Sequence, residues 1–279
     1  VRQSTTKPLA QIATYGLLFL VAFLFLVPLI WMMSVSLKSD AELQKPTFFP
    51  QQPQVENYTT IFQSEAFDYP LYARNTLIIV VLSLIGMVLS SSIAAYGFAR
   101  VPFPGRKLMF GVCLATMMIP FAVLMVPTYM MFKQIGWVGT LRPLWVPAWF
   151  GSAFNVFLLR QFFMQIPPEL EESAMLDGCS RWGCFWRIVL PLATPALAVV
   201  TLFHTLSMWN DLVGPLIYLS HQSEFTLSLG LQFLDSRSGN TPWNQLMAAS
   251  VLIVLPVLIL FLLTQRTFIR GIATTGLKG

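Results

Sequence analysis

Six long stretches of this chain contain no Asp, Glu, Lys or Arg: residues 8–37, 75–99, 108–132, 143–159, 188–210 and 238–265. A helix needs about 20 apolar residues to cross the hydrocarbon core of a bilayer, and an ionised side chain at its centre costs about 3 kcal/mol or more. Five of the stretches are long enough as they stand. The fourth becomes so if Arg160 extends its head to the interface while Gln161, Phe162 and Phe163 continue the helix. Backbone polar groups in lipid must be satisfied within their own segment. The pattern therefore predicts an all-α integral membrane protein with six transmembrane helices. Only 10% of the 279 residues are charged, against roughly a quarter in soluble domains, which argues against a water-soluble enzyme.

The three cysteines, Cys113, Cys179 and Cys184, lack metal-ligand or CxxC spacing, and the two histidines, His204 and His221, have no obvious partner in the sequence. No metal site is expected. The net charge of +5 comes from Lys and Arg flanking apolar runs. It is better explained by membrane topology than by nucleic acid, and no nucleic-acid partner is expected. Arg2 and Lys7 ahead of an apolar run, with Ser34 and Ser36 after it, imitate a signal peptide. The run exceeds the usual h-region of about 7–15 residues, so a retained anchor is expected.

An even number of spans puts both termini on one side, with the loops near 100–107 and 160–187. Eleven of the 17 basic residues fall there, against four of the 12 acidic ones. By the positive-inside rule that side is cytoplasmic. Two substantial loops, about 38–74 and 211–242, lie outside. The first contains Pro46, Pro50, Pro53 and Pro70, which predicts extended pieces and a short helix near Asn57–Gln63. The chain divides into an N-terminal segment, 1–70, holding the first span and outer loop, and a core, 71–279, holding five spans, a cytoplasmic loop at about 167–187 and a tail.

That cytoplasmic loop is polar without being low in complexity. Pro167-Pro168 favours a helix start, and Glu169, Glu171 and Glu172 follow in the first turn, where carboxylates complement the helix dipole. Asp177-Gly178 ends the helix after about ten residues. Ser180 is placed to cap a second helix running through Trp182 and Trp186 into the fifth span.

The segment ELEESAMLDGCSRWGCFWRIVLPLATPAL, from Glu169 onward, closely resembles the EAA loop of type I ABC-transporter permeases. The matching positions are Glu172-Ser173-Ala174, Asp177-Gly178-Cys179 and Ile188-Val189-Leu190-Pro191. Serine at 173 and cysteine at 179 stand where the pattern has alanine. The resemblance implies the type I importer permease fold, in which this loop is a coupling helix docked in a cleft of an ATPase subunit. It makes Glu171, Glu172, Ser173, Ala174, Asp177 and Gly178 the candidate coupling residues. The tail Gly271-Ile272-Ala273-Thr274-Thr275-Gly276-Leu277-Lys278-Gly279 is similar to the C-terminus of carbohydrate permeases of the maltose-permease kind. The likeness implies that Gly271, Thr274, Gly276, Lys278 and Gly279 lie at the ATPase interface. Trp209-Asn210-Asp211 followed by Pro215-Leu216 resembles the end of the fifth span in sugar permeases.

Polar residues within spans are the default candidates for a substrate path. Asn155 and His204 are taken as such, with Trp209 and Asn210 from the motif. Ser90–Ser92 and Thr116 are read first as helix-packing residues, and Trp209 equally as an interfacial anchor. The expected function is that of a permease subunit of an ATP-driven importer for a sugar or oligosaccharide. The expected partners are a second homologous permease, two ATPase subunits, an extracytoplasmic solute-binding protein and membrane lipid. The sequence has no GxxxxGK[ST] motif, so ATP and Mg²⁺ belong on the ATPase subunits and this chain binds no cofactor. The setting implied is a bacterial or archaeal cytoplasmic membrane. Glycerol 3-phosphate or another polyol-type substrate is the alternative, disfavoured by the lack of mid-span Arg or Lys. An intramembrane enzyme would need a nucleophile and base that His204 does not have beside it in sequence. A stand-alone channel or carrier would work without ATP.

Overall fold

A computed structural model describes residues 8–63, 67–236 and 242–276. Among these residues the regular structure is helical throughout. Three helices are long and apolar enough to cross a membrane: α1 (Pro8–Ser36), the long helix Tyr69–Arg100 and the final helix Trp243–Gly276, whose apolar part is Trp243–Gln265. The apolar window of the first is nowhere buried within the protein, and Phe19 and Phe25 stand about three-quarters exposed. A helix apolar on every side is suited to lipid contact.

The other charge-free stretches are broken. Residues 106–134 form two helices bent by 96° at Ile119-Pro120, and residues 181–209 form two bent by 76° at Ala193. Up to five spans follow if each bent pair counts as one. The fourth stretch, expected as one span, is a short helix Arg142–Trp145, a 3-10 turn Val146–Phe150 and a helix Ala153–Gln165. Pro143 and Pro147 remove backbone donors there, and Gly151 at φ 84° turns the chain.

The chain forms two compact units, 1–69 with 231–255, and 70–230 with 256–279. In the first, α2 (Asp40–Leu43) and α3 (Glu56–Gln63) interrupt the outer loop, so the helix expected near 57–63 is present. Asn57 Nδ2 donates to the carbonyls of Ser36 and Lys38 at 2.9 and 3.0 Å. Asn244 donates to the Lys38 carbonyl at 3.2 Å and to Asp40 Oδ1 at 3.0 Å. These amides satisfy backbone acceptors left free where α1 ends.

The second unit contains, in chain order, α4 (Tyr69–Arg100), α5 (Arg106–Ala115), α6 (Phe121–Gln134), α7 (Arg142–Trp145), α8 (Ala153–Gln165), α9 (Glu169–Leu176), α10 (Arg181–Cys184), α11 (Leu190–Leu192), α12 (Thr194–Trp209) and α13 (Val213–Tyr218). Helices α14 (Leu227–Ser236) and α15 (Trp243–Gly276) close the chain. The core of this unit gathers Met87 and Tyr96 of α4, Leu159 and Phe163 of α8, Phe185 and Val189 of the π-helical turn Phe185–Val189, and Val200 of α12. Close approach is arranged by Gly86: a Cβ there would sit 2.3 Å from Trp149 Cδ1, while the indole N–H donates to the Leu82 carbonyl at 3.1 Å.

Candidate functional site

Helix α9 spans Glu169–Leu176, two residues shorter than expected, because Asp177 already leaves helical geometry. Its end is a Schellman closure. The Gly178 N–H donates to the Met175 carbonyl at 3.1 Å and the Cys179 N–H to the Ala174 carbonyl at 2.9 Å, with Gly178 at φ 86°. That backbone conformation strains any residue with a Cβ, although no atom crowds the position. Two residues later Ser180 Oγ accepts from the Gly183 N–H at 3.1 Å, so the expected cap starts α10.

Glu171 faces inward and is 6% exposed. Its Oε1 lies 2.9 Å from Arg100 Nε, and its Oε2 accepts from the Tyr96 hydroxyl at 2.8 Å, which also lies 3.1 Å from the Arg181 carbonyl. Arg100 Nη2 in turn donates to the carbonyls of Phe163, at 2.8 Å, and Ile166, in the last turn of α8 and just past its end. One guanidinium, carried on the last residue of α4, therefore closes the end of α8 and anchors the first turn of α9. Arg160 does a related task. Its Nε donates to the Phe98 carbonyl at 3.2 Å and its guanidinium lies 4.1 Å from the centre of the Phe110 ring. Sequence reasoning missed Arg100, Tyr96 and Arg181 as holders of this loop. It saw Arg100 only as a topology charge, since a contact between positions 100 and 171 leaves no periodic trace.

The remaining coupling candidates separate from Glu171. Glu172, Ser173, Asp177 and Gly178 are exposed and Ala174 is half-buried; the neighbouring apolar side chains Leu170 and Leu176 are also exposed, at 45% and 90%. A buried carboxylate thus holds the knob, and an acidic, partly apolar face of it stands open.

The four pathway candidates do not form one site. Asn155 is 7% exposed and its amide approaches Met87 Sδ at 3.0 Å. His204 Nε2 lies 3.0 Å from Ser83 Oγ. Ser83 and Met87 are one turn apart on α4, so these two candidates meet the same helix face. Trp209, read equally as a substrate contact and as an interfacial anchor, is buried at 6% exposure. Ser228 Oγ donates to its carbonyl at 3.1 Å, because the segment after α13 folds back onto this end of α12. Asn210 is exposed and closes α12 through its amide, which donates to the Leu206 carbonyl at 2.8 Å. Asp211 Oδ1 accepts from the Gly214 N–H at 3.1 Å and begins α13. Burial pushes the Asp211 carboxyl above the usual carboxylate range, partly offset by the N–H groups of Gly214 and Val213.

A cavity of about 650 Å³ lies among α6, α7, the following turn, α12 and α13. Phe121, Phe132, Trp137 and Tyr218 wall it, and Ser207 and Asp211 supply polar groups. None of Asn155, His204, Trp209 and Asn210 lines it. The serines read as packing residues behave so: Ser90 Oγ donates to the Gly86 carbonyl at 2.7 Å and Ser91 Oγ accepts from the Ser152 N–H at 3.2 Å. Of the tail candidates, Gly271, Thr274 and Gly276 lie on the helical backbone of α15. Lys278 and Gly279 lie outside the described residues.

Comparison with known proteins places this arrangement. The sequence model of the family described as "binding-protein-dependent transport system inner membrane component" matches residues 86–274. The chain is 33% identical to the arabinooligosaccharides transport system permease protein AraQ of Halalkalibacterium halodurans, with 100% of both chains covered. It is 32% identical to the trehalose/maltose transport system permease protein MalG of Thermococcus litoralis, covering 93% of this chain and 94% of that one. Against the inner membrane ABC transporter permease protein YcjP of Escherichia coli the identity is 34%, with 98% of each covered. The backbone matches a chain in the crystal structure of a bacterial ABC transporter involved in the import of alginate, with a TM-score of 0.84 at 22% identity, over 96% of this chain and 99% of that one. That likeness speaks to fold. The chain is thus a multi-pass transport subunit, not an enzyme, and belongs to the family of binding-protein-dependent transport system inner membrane components.

Proposed function

We propose that this chain is one of two paired permease subunits of an ATP-driven importer for a sugar or oligosaccharide, delivered by an extracytoplasmic solute-binding protein. Two ATPase subunits bind ATP and Mg²⁺; this chain binds neither. Both termini and α9 lie in the cytoplasm. The observation that carries the coupling role is the construction of α9. Its first turn is anchored through Glu171 to Arg100 and Tyr96, its end is closed at Gly178, and Glu172 and Ser173 are left facing out. A short rigid element joined to the ends of α4 and α8 can pass a push on its open face into those helices, with Glu172 offering a carboxylate to a basic group on the ATPase. The names of the oligosaccharide-transporting relatives support the substrate class. The aromatic cavity beside Ser207 and Asp211 combines apolar faces with a few hydrogen-bonding groups, which suits a sugar ring.

The test is uptake in proteoliposomes holding the reconstituted importer and its binding protein. ATP-dependent accumulation of an oligosaccharide is expected, and Glu172→Ala should lower it while the amount of assembled chain is unchanged. Uptake independent of ATP, or unaltered uptake by the Glu172→Ala variant, would count against the reading.

A further inference from the structure

A second cavity, of about 520 Å³, lies where α1 ends and α15 begins. Trp31, Phe48 and Trp243 wall it, and Lys38, Lys45 and Thr47 supply its polar groups. The stretch 45–48 is tied over the end of α1 by two buried side chains: Ser34 Oγ donates to the Phe48 carbonyl and Lys38 Nζ to the Thr47 carbonyl. Lys38 is only 4% exposed, yet among the described residues no carboxylate forms an ion pair with it. Glu42 accepts from the Gln51 N–H at 2.9 Å instead and does not line the cavity. Asp40 accepts from Asn244 at 3.0 Å and does not line it either. An ammonium has three N–H donors, and the bond to Thr47 engages one of them. Thr47 Oγ1 is itself buried without a hydrogen-bond partner among the described residues. Burying a cation is costly unless an opposite charge accompanies it, and this lining contains two lysines and no acid.

The surroundings are those of a lipid boundary. The apolar window of α1 is nowhere buried within the protein, and Lys38 follows shortly after the last residue of that helix, Ser36. Trp31 and Trp243 are 45% and 50% exposed and flank one cavity from two apolar helices. Such aromatics gather where hydrocarbon gives way to headgroups, and lysine stems lie along apolar surface while their charged ends reach that level.

We propose that this cavity binds the phosphate of an anionic phospholipid whose acyl chains lie along the exposed apolar surface of α1. Lys38 and Lys45 meet the phosphodiester as compact positive charges, Thr47 Oγ1 donates to one of its oxygens, and the two tryptophans cover the glycerol region. A choline or ethanolamine headgroup would bring its own cation against the paired lysines, so an uncharged headgroup alcohol on the phosphate fits better. The bound lipid holds the stretch 45–48 to α1 and stabilises the folded chain in proportion to occupancy. None of this depends on what the chain transports.

The assembled importer, stripped of lipid in detergent, is titrated with phosphatidylglycerol, phosphatidylcholine or inorganic phosphate and followed by native mass spectrometry and by its thermal midpoint. A phosphatidylglycerol with a photoreactive headgroup locates the bound lipid in the importer and in the chain alone. Retained phosphatidylglycerol, a midpoint that rises with it and crosslinks within 31–48 or at Trp243 are expected, with several-fold weaker retention by Lys38→Met and Lys45→Gln. Lys45 is exposed, so Lys45→Gln should keep the fold and preserves the comparison if Lys38→Met does not assemble. Equal retention of phosphatidylcholine, or undiminished retention of phosphatidylglycerol by Lys45→Gln, would overturn the inference. A midpoint raised as much by inorganic phosphate would overturn it in favour of a free anion. Crosslinks here in the chain alone that vanish in the importer would overturn it in favour of a partner subunit filling the cavity.

Discussion

Glu171 and Glu172 are adjacent in sequence and opposite in task. Successive helix positions differ by about 100°, so one carboxylate of the pair points to the body and the other away. Glu171 is paired with Arg100 and hydrogen-bonded to Tyr96 behind a nearly closed surface, where removing one partner leaves the other charge uncompensated. Glu171→Ala should therefore cost about 3–5 kcal/mol and release the start of α9. Glu172→Ala, at an exposed position, should change stability by less than about 0.5 kcal/mol. Thermal unfolding of the purified chain in detergent checks the contrast, and equal losses from the two variants would refute it. The acidic cluster itself was legible in the sequence, as was the glycine that closes the helix. Which glutamate faces inward was not, because the answer depends on Arg100 and Tyr96, which reach α9 from the end of another helix.

At the level of elements, apolar intervals translate into helices more reliably than into straight spans. Residues 106–134 and 181–209 are apolar enough to cross a membrane, yet each is bent. The bends follow local chemistry: Pro120 cannot donate to the preceding turn, and Pro191 and Pro195 occupy the first positions of α11 and α12. Both prolines are visible in the fifth interval of the sequence, but the bend angle depends on what packs beside it. The contact of Gly86 with Trp149 shows such packing. Gly86→Ala puts a Cβ into the base of the indole, where the ring cannot simply swing aside, and should destabilise by about 1–3 kcal/mol. In a Trp149→Ala background the same substitution should cost almost nothing. A double-mutant cycle on thermal midpoints measures the difference, and additive effects would show that the two residues do not meet.

For the whole molecule, the scarcity of charge was informative twice, since it located the apolar intervals and left the few charges to mark sides. All six intervals contain helix, but only three of them contain a continuous helix of spanning length among the described residues. The fourth, fragmented by Pro143, Pro147 and Gly151, is where counting charges says least about shape. The order of sides survives this fragmentation as long as each interval still carries the chain across. Basic residues gather around 100–107 and 160–187, and acidic residues predominate in the loops 38–74 and 211–242, so α9 should be cytoplasmic and the segment near His221 should lie outside. Both Ser173 and His221 are exposed and can report on this as single cysteines. In a chain whose own three cysteines are replaced by alanine, a membrane-impermeant maleimide should label Ser173→Cys in inside-out vesicles alone and His221→Cys in right-side-out vesicles alone. Labelling of both variants from one face would mean that the chain crosses the membrane an even number of times between 173 and 221. That would exclude the fifth interval as a span and turn its bent pair into a re-entrant loop.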